Sequence, residues 1–404
     1  MKPLRPVKIL LATVYVLCLG EVFVRLFAPV PIIPRYITHT SYGVRGNIPG
    51  AVYKHFTPDV SVEYRINSAG FRSDVEYPLK KPEGTCRVLM FGDSFMMGYE
   101  ADLEDTVPYR LEQSLRESGK PCDVINMGVS GFGTAEMLVA LENNGLAYSP
   151  DAIVFEWHST DFDDNVRSGL YDIADGKLRR VHETYLPAVS IQDTLQRFAV
   201  YRFLSQYSEL YSAVRETLTI QIKAALVHFR EAEPQAGADE EGVPNESSSK
   251  DADQDYEARL AALLLAQAAQ VASSHGAKFY VLDIPAEQAD GHVKSTFDAV
   301  ERTGAAPPNV VHLDGALNRI FDGGVQIFYH RGHGHFTPTG YHAAASELFE
   351  AMRGADGPLP REETPASAPQ RTSRSSSLLA PVASSADGAL PDRPTQVAES
   401  ARAQ

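Results

Sequence analysis

Four short blocks carry the residue types that acyl chemistry on a serine requires: Gly92-Asp93-Ser94, Asn126-Met127-Gly128-Val129-Ser130-Gly131, His158-Ser159-Thr160-Asp161 and His330-Arg331-Gly332-His333-Gly334-His335. A serine hydroxyl is unreactive at its ordinary pKa and becomes a nucleophile when a hydrogen-bonded base takes its proton. The last block supplies histidines for that task. The N–H of Ser94 and the N–H of Gly131, where no side chain stands in the way, are candidate donors to a developing oxyanion. The same histidines, with Asp161 adding a carboxylate, could be read as metal ligands, since neutral imidazole binds zinc and similar ions. Their spacing is not one of the strong metal signatures, so neither a metal nor a cofactor is expected.

The blocks gain weight from what precedes them. Apolar runs at 87–91, 123–126 and 152–157 have the length and composition of buried parallel strands, and each ends where a block begins. Helical spacing predicts helices over 107–117, 134–144, 256–274, 286–302 and 338–352, the last capped by Thr337 with Pro338 in its first turn. Further strands are expected at 278–284 and 310–313. This alternation predicts an α/β fold, a doubly wound and mostly parallel sheet with helices on both faces. In such sheets ligands bind beyond the carboxyl ends of the strands, where the four blocks lie. Residues 60–66 alternate like an edge strand, and Asn67–Gly70 reads as a turn. Residues 166–230 interrupt the alternation with expected helices whose Phe198, Tyr201, Phe203, Tyr207 and Tyr211 suggest ordinary packing rather than a substrate platform.

Together the blocks resemble the SGNH (GDSL-type) hydrolase superfamily, best its membrane-anchored exported bacterial branch, in which a segment like Arg65-Ile66-Asn67-Ser68-Ala69-Gly70-Phe71-Arg72 precedes the first block. The resemblance covers roughly residues 60–165 and 278–352. It implies a flavodoxin-like three-layer α/β/α sandwich, Ser94 as nucleophile, oxyanion donors from the Ser94 and Gly131 amides, and His335 as general base. It further implies hydrolysis or transfer of acyl groups on esters, often O-acetyl groups of carbohydrates. Two positions depart from the family pattern. The third oxyanion donor is an Asn in the family, and Thr160 stands there. The acid that orients the base lies two or three residues before it in the family, and those places hold His333 and Gly332. Asp161 and His333 are therefore the candidate orienting groups. An acyltransferase using the same Ser–His pair, and a catalytically impaired carbohydrate-binding relative, are the alternatives to an esterase.

Composition sets the context. The chain has 404 residues and net charge −15; beyond residue 35 the balance is −19, against a nucleic-acid footprint, which needs clustered Lys and Arg. Lys2, Arg5 and Lys8 precede an apolar stretch, and residues 7–28 are long enough to span a membrane, with Glu21 and Arg25 four apart on one face. A basic start predicts a cytoplasmic terminus (1–6) and a body on the extracytoplasmic side. The alternative is a cleaved signal peptide with Cys18-Leu19-Gly20 as its site, giving a secreted protein. The expected organisation is then an extension over 36–84, a hydrolase-like domain over 85–353 with an acidic disordered insertion at 231–255, and a disordered Pro/Ser/Ala-rich tail at 354–404. Cys86 and Cys122 each stand just before a strand, so adjacent parallel strands in an oxidising compartment would allow a disulfide between them.

Overall fold

In the computed structural model the described residues are 4–32, 34, 36–187, 189–215, 217–218 and 246–353. The expected tail (354–404) lies outside them, as do residues 231–245 of the expected insertion.

The chain opens with helix α1 (Leu4–Phe27). Two small antiparallel ladders follow, β1 (Ile37–His39) with β2 (Arg45–Asn47), and β3 (Val52–Phe56) with β4 (Ser61–Arg65). Then come β5 (Cys86–Phe91), α2 (Ser94–Met97), α3 (Val107–Glu117), β6 (Cys122–Asn126), α4 (Thr134–Asn143), β7 (Ala152–Trp157) and α5 (Asp161–Ser168). The interruption holds a hairpin, β8 (Tyr171–Ala174) with β9 (Lys177–Arg180), and helices α6 (Val189–Gln196), α7 (Ala199–Tyr207) and α8 (residues 209–215). The alternation resumes with α9 (Glu246–Ser274) and β10 (Lys278–Asp283). It closes with a short ladder, β11 (Ala286–Glu287) with β12 (Val293–Lys294), then α10 (Asp298–Glu301), β13 (Val310–His312), α11 (Asp314–Asp322) and α12 (Pro338–Arg353).

Five strands form one parallel sheet in the order β13-β10-β7-β5-β6. Read in chain order from the β6 edge this is 2-1-3-4-5, the flavodoxin-like arrangement, whose connections reverse direction between β5 and β7. Both faces of the sheet are covered, which is why its strands are apolar throughout rather than alternating. One core layer packs Leu89, Phe91, Ile153 and Phe155 against α4 and α9; the other packs Val88, Met90, Val154 and Leu282 against α3 and α12. Cys86 and Cys122 are register partners at the starts of β5 and β6, 4.4 Å apart at Cα, and are joined as a disulfide.

Four segments differ from the sequence reading. A helix over 286–302 is not formed. Gly291, at φ +89°, turns the chain back, and the Asn318 side chain accepts from the Val293 amide and donates to its carbonyl, holding an extended strand instead. The hairpin β8–β9 was signalled by Asp175-Gly176, which occupies positive φ at both central positions as a type I′ turn requires. Phe198, Phe203 and Tyr207 do not enter the core: they are 60%, 62% and 45% exposed, Phe203 and Tyr207 touching each other on the outside, while Tyr201 and Tyr211 turn onto each other. Helix α9 also starts ten residues earlier than its spacing suggests, at Glu246.

Candidate active site

Ser94 opens α2 directly beyond β5, at the point where the connections reverse. The turn that delivers it depends on Gly92, where a Cβ would run into the Glu156 side chain and the Met96 Cβ. Asp93 caps α2 by accepting from the Phe95 amide at 2.7 Å. Glu156, buried in β7 beneath the turn, accepts from the amides of Asp93 (3.1 Å) and Met96 (2.8 Å). Burial and the neighbouring Asp93 carboxyl push Glu156 far above the usual carboxylate range, so it is held as the neutral acid. A neutral isostere should therefore serve. Glu156→Gln is expected to retain fold and thermal midpoint. Glu156→Leu strands two buried N–H groups, each costing about 1–3 kcal/mol, and chemical denaturation of the two variants will distinguish them.

His335 lies in the loop before α12, fixed by the Tyr329 amide donating to its carbonyl and by the Phe328–Phe336 bridge. Its Nε2 is 2.8 Å from Ser94 Oγ. The ring is nearly buried, packed at a tilt against Phe95 (4.7 Å) and Tyr99 (5.1 Å). On the other side of the imidazole, Nδ1 faces Glu100 Oε2 at 3.4 Å, close enough for charge pairing but longer than a good hydrogen bond. The carboxylate also accepts from the amides of His333 (3.1 Å) and His335 (3.2 Å). Burial acts to raise the Glu100 carboxyl, but the His335 ring and these two amides outweigh it and hold it below the usual range. It stays ionised at neutral pH.

Glu100 is the group the sequence reading missed. Its backbone stands at φ +60°, in the left-handed region that non-glycine residues avoid. The surroundings enforce that conformation. Tyr64 Oη accepts from the Glu100 amide at 2.9 Å, and Tyr341 donates to the Tyr99 carbonyl at 2.8 Å. The buried guanidinium of Arg72 donates to the carbonyls of Met97, Gly98 and Ala101 and lies over the Tyr64 ring. The segment 65–72, noted in the sequence for its resemblance, thus acts as a brace for the loop that carries the acid. The carboxylate occupies a space left open by Gly332, where a Cβ would collide with Glu100 Oε1.

The remaining expectations divide. The loop bearing Gly131 is fastened to the serine turn by the Val129 amide donating to Gly92 O at 3.0 Å, and by Gly128 packing against Met97 N. Gly131 stands at φ +77°, and Arg45, paired with Glu136 at 2.7 Å, takes its carbonyl. The amides of Ser94 and Gly131 find no protein acceptor among the described residues, whereas those of Asp93, Phe95, Met96 and Met97 all do. Thr160 is exposed, and its hydroxyl meets His158 Nδ1 at 3.1 Å. His158 itself packs against Phe95 at 5.2 Å, a ring that His335 also contacts, and its burial lowers its pKa, keeping it neutral beside the site. Asp161 does not orient His335: it accepts from Thr134 N, Thr134 Oγ1 and His158 N, tying the starts of α4 and α5 together. His333 contributes its amide to Glu100, with its ring 6.5 Å from that of His335. Among the described residues no three His, Cys, Asp or Glu side chains gather as a metal set.

Fold and site together define a doubly wound α/β protein with a Ser94–His335–Glu100 constellation at its topological switch point. No protein-family model matches the chain, and no curated protein does. Solved structures similar to it include TesA (15% identity, 66% of this chain and 98% of that one, TM-score 0.34). Others are the acetyl xylan esterase AlAXEase (11%, 66% and 98%, 0.34) and a lipase/acylhydrolase from Enterococcus faecalis (15%, 66% and 95%, 0.34). Likeness at that level carries no argument about activity, which rests on the side chains.

Proposed function

We propose that the chain is a membrane-tethered serine ester hydrolase of the SGNH type, working outside the cytoplasm on O-acyl groups, above all acetyl, of cell-envelope or extracellular carbohydrate. The observation that carries the catalytic part is the 2.8 Å contact between His335 Nε2 and Ser94 Oγ beside two uncommitted backbone amides. His335 takes the Ser94 proton as Oγ attacks the acyl carbonyl, and the oxyanion settles on the amides of Ser94 and Gly131. Collapse expels the alcohol, which receives the proton from His335. Water, deprotonated by the same nitrogen, then releases the acid and frees Ser94. Glu100 keeps the imidazole's other proton on Nδ1 and balances the imidazolium while it exists. With a carboxylate in that place, the impaired-binder alternative loses its main support. An acyltransferase differs only in having a carbohydrate hydroxyl in place of the water.

The tethering part rests on α1, a predominantly apolar helix over Pro6–Phe27 whose side chains are turned outward, with Lys2, Arg5 and Lys8 at its start and Glu21 and Arg25 near its end. The catalytic reading is tested by exposing the full-length protein in detergent to a fluorophosphonate probe. Labelling that maps to Ser94 and vanishes in Ser94→Ala is the expected result, and an unlabelled wild-type chain would refute it. Acetate release from acetylated polysaccharide then separates hydrolysis from transfer to an added carbohydrate acceptor.

A further inference from the structure

Helices α6, α7 and α8 are unusual among the elements of this chain in turning apolar side chains to the outside. Ile191, Leu195 and Phe198 recur at intervals of four and three along and just past α6, and Val200, Phe203 and Tyr207 at three and four along α7. Each set forms one helical stripe. Ile191, Phe198, Val200 and Phe203 are 60–70% exposed. The polar and small residues of α7 face inward instead: Ser205 is buried, and Tyr201 hydrogen-bonds Gln192. An apolar face contiguous over two helices normally marks a surface that is covered by something.

What covers it follows from where it is attached. The Glu21 carboxylate of α1 accepts from Ser208 Oγ (2.7 Å) and from the amides of Glu209 (2.9 Å) and Leu210 (3.1 Å), so a side chain of one helix caps the first turn of α8. Arg25, ion-paired to Glu21 at 2.8 Å, donates to the Tyr207 carbonyl that ends α7. Gly20 leaves room for Leu210 to pack against α1. The last turns of α1 are therefore bound to the junction of α7 and α8 by four hydrogen bonds and a packing contact. If α1 spans the bilayer with its N-terminus inside, Glu21 and Arg25 sit at the outer boundary, and α6–α7 are held at that same level. Exposed Arg197 and Arg202 lie among the apolar residues, where lipid phosphates would meet them.

We propose that α6 and α7 form a monolayer-seated platform, their Ile191–Phe198 and Val200–Tyr207 stripes immersed in the outer leaflet beside the exit of α1. The occupant of this apolar face is lipid. The platform and the transmembrane helix then act as one two-point mount, which fixes the height and tilt of the sheet above the membrane rather than leaving the domain on a loose leash. This inference rests on the membrane reading of α1, and its test separates the two.

The chain contains a single tryptophan, Trp157, fully buried in the core and so shielded from lipid. Full-length protein carrying Phe203→Trp is reconstituted in phosphatidylcholine vesicles with and without lipid brominated near the headgroup end of its acyl chains. Tyr15→Trp, in the middle of α1, serves as the companion variant, in vesicles with and without lipid brominated near the chain ends, the depth a mid-span residue occupies. Loss of most of the added emission at both positions, with wild-type emission unchanged, is the expected result. Quenching at Tyr15→Trp alone overturns the platform and leaves the anchor standing, as would coverage of the face by a second copy of the chain. Quenching at neither position overturns both.

Discussion

Ser94→Ala and His335→Ala are each expected to lower kcat/KM for a simple acetyl ester by about 10⁴- to 10⁶-fold, and the double variant should be no slower than either single one. Non-additivity follows from the geometry. Ser94 Oγ and His335 Nε2 share one hydrogen bond of 2.8 Å, so removing either group removes the same proton transfer. What survives is the contribution of groups neither substitution touches, the amides of Ser94 and Gly131. His333→Ala is the matched control. Its ring is 6.5 Å from that of His335, and its amide, which any residue supplies, donates to Glu100. That variant should stay within about tenfold of wild type, far from the loss set by removing the base. Additive losses in the double variant, or a His335→Ala enzyme near full rate, would show that the two residues do not act as a pair. Steady-state kinetics on purified full-length variants, each checked for an unchanged unfolding transition, provides the measurement.

Much of this arrangement was legible before any coordinates, and the reason is local. Ser94, Gly131, Thr160 and Asp161 sit within a few residues of strand ends, and buried parallel strands announce themselves as short apolar runs. Cys86 and Cys122 could be paired on paper because consecutive strands lie side by side, and β5 and β6 do. The failures also have physical causes. Asp175-Gly176 is a strong hairpin signal that was overshadowed by helical spacing around it. The exposed faces of α6 and α7 read as core because periodicity reports that one face is apolar, not what that face meets. Glu156 was invisible as a functional group because in sequence it is one polar residue inside a strand; its importance arises from the two amides of another strand's turn. Glu100 is the plainest case. It meets His335 across 235 residues of chain, from a backbone conformation that sequence patterns assign to glycine. The only trace was negative: Gly332, a residue without a side chain, where the resemblance leads one to expect an acid.

That trace yields the second prediction. Glu100→Gln is expected to lower kcat/KM by about 10²- to 10⁴-fold, the range seen when an orienting acid is made neutral while its shape is kept. A purely structural role would lower stability at neutral pH without a rate loss of this size in enzyme that is fully folded under the assay conditions. The stability linkage has a definite sign. The folded-state carboxyl of Glu100 lies below its unfolded value, so its contribution is present above the ordinary carboxylate pKa and is lost as pH falls through the folded value. The stability gap between wild type and Glu100→Gln should therefore close on acidification. The decisive experiment moves the acid. Gly332→Asp alone forces a Cβ into Glu100 Oε1 and should damage folding or rate. Glu100→Gly alone relieves the φ +60° backbone and removes the acid, leaving a stable but slow enzyme. Combined, the two changes return a carboxylate to the base from the neighbouring position and vacate the space it needs. At least about tenfold recovery over Glu100→Gly is expected, a modest part of what the orienting acid supplies. If Glu100→Gln keeps wild-type rate, His335 works without a carboxylate, and the strained conformation at residue 100 answers to something other than catalysis.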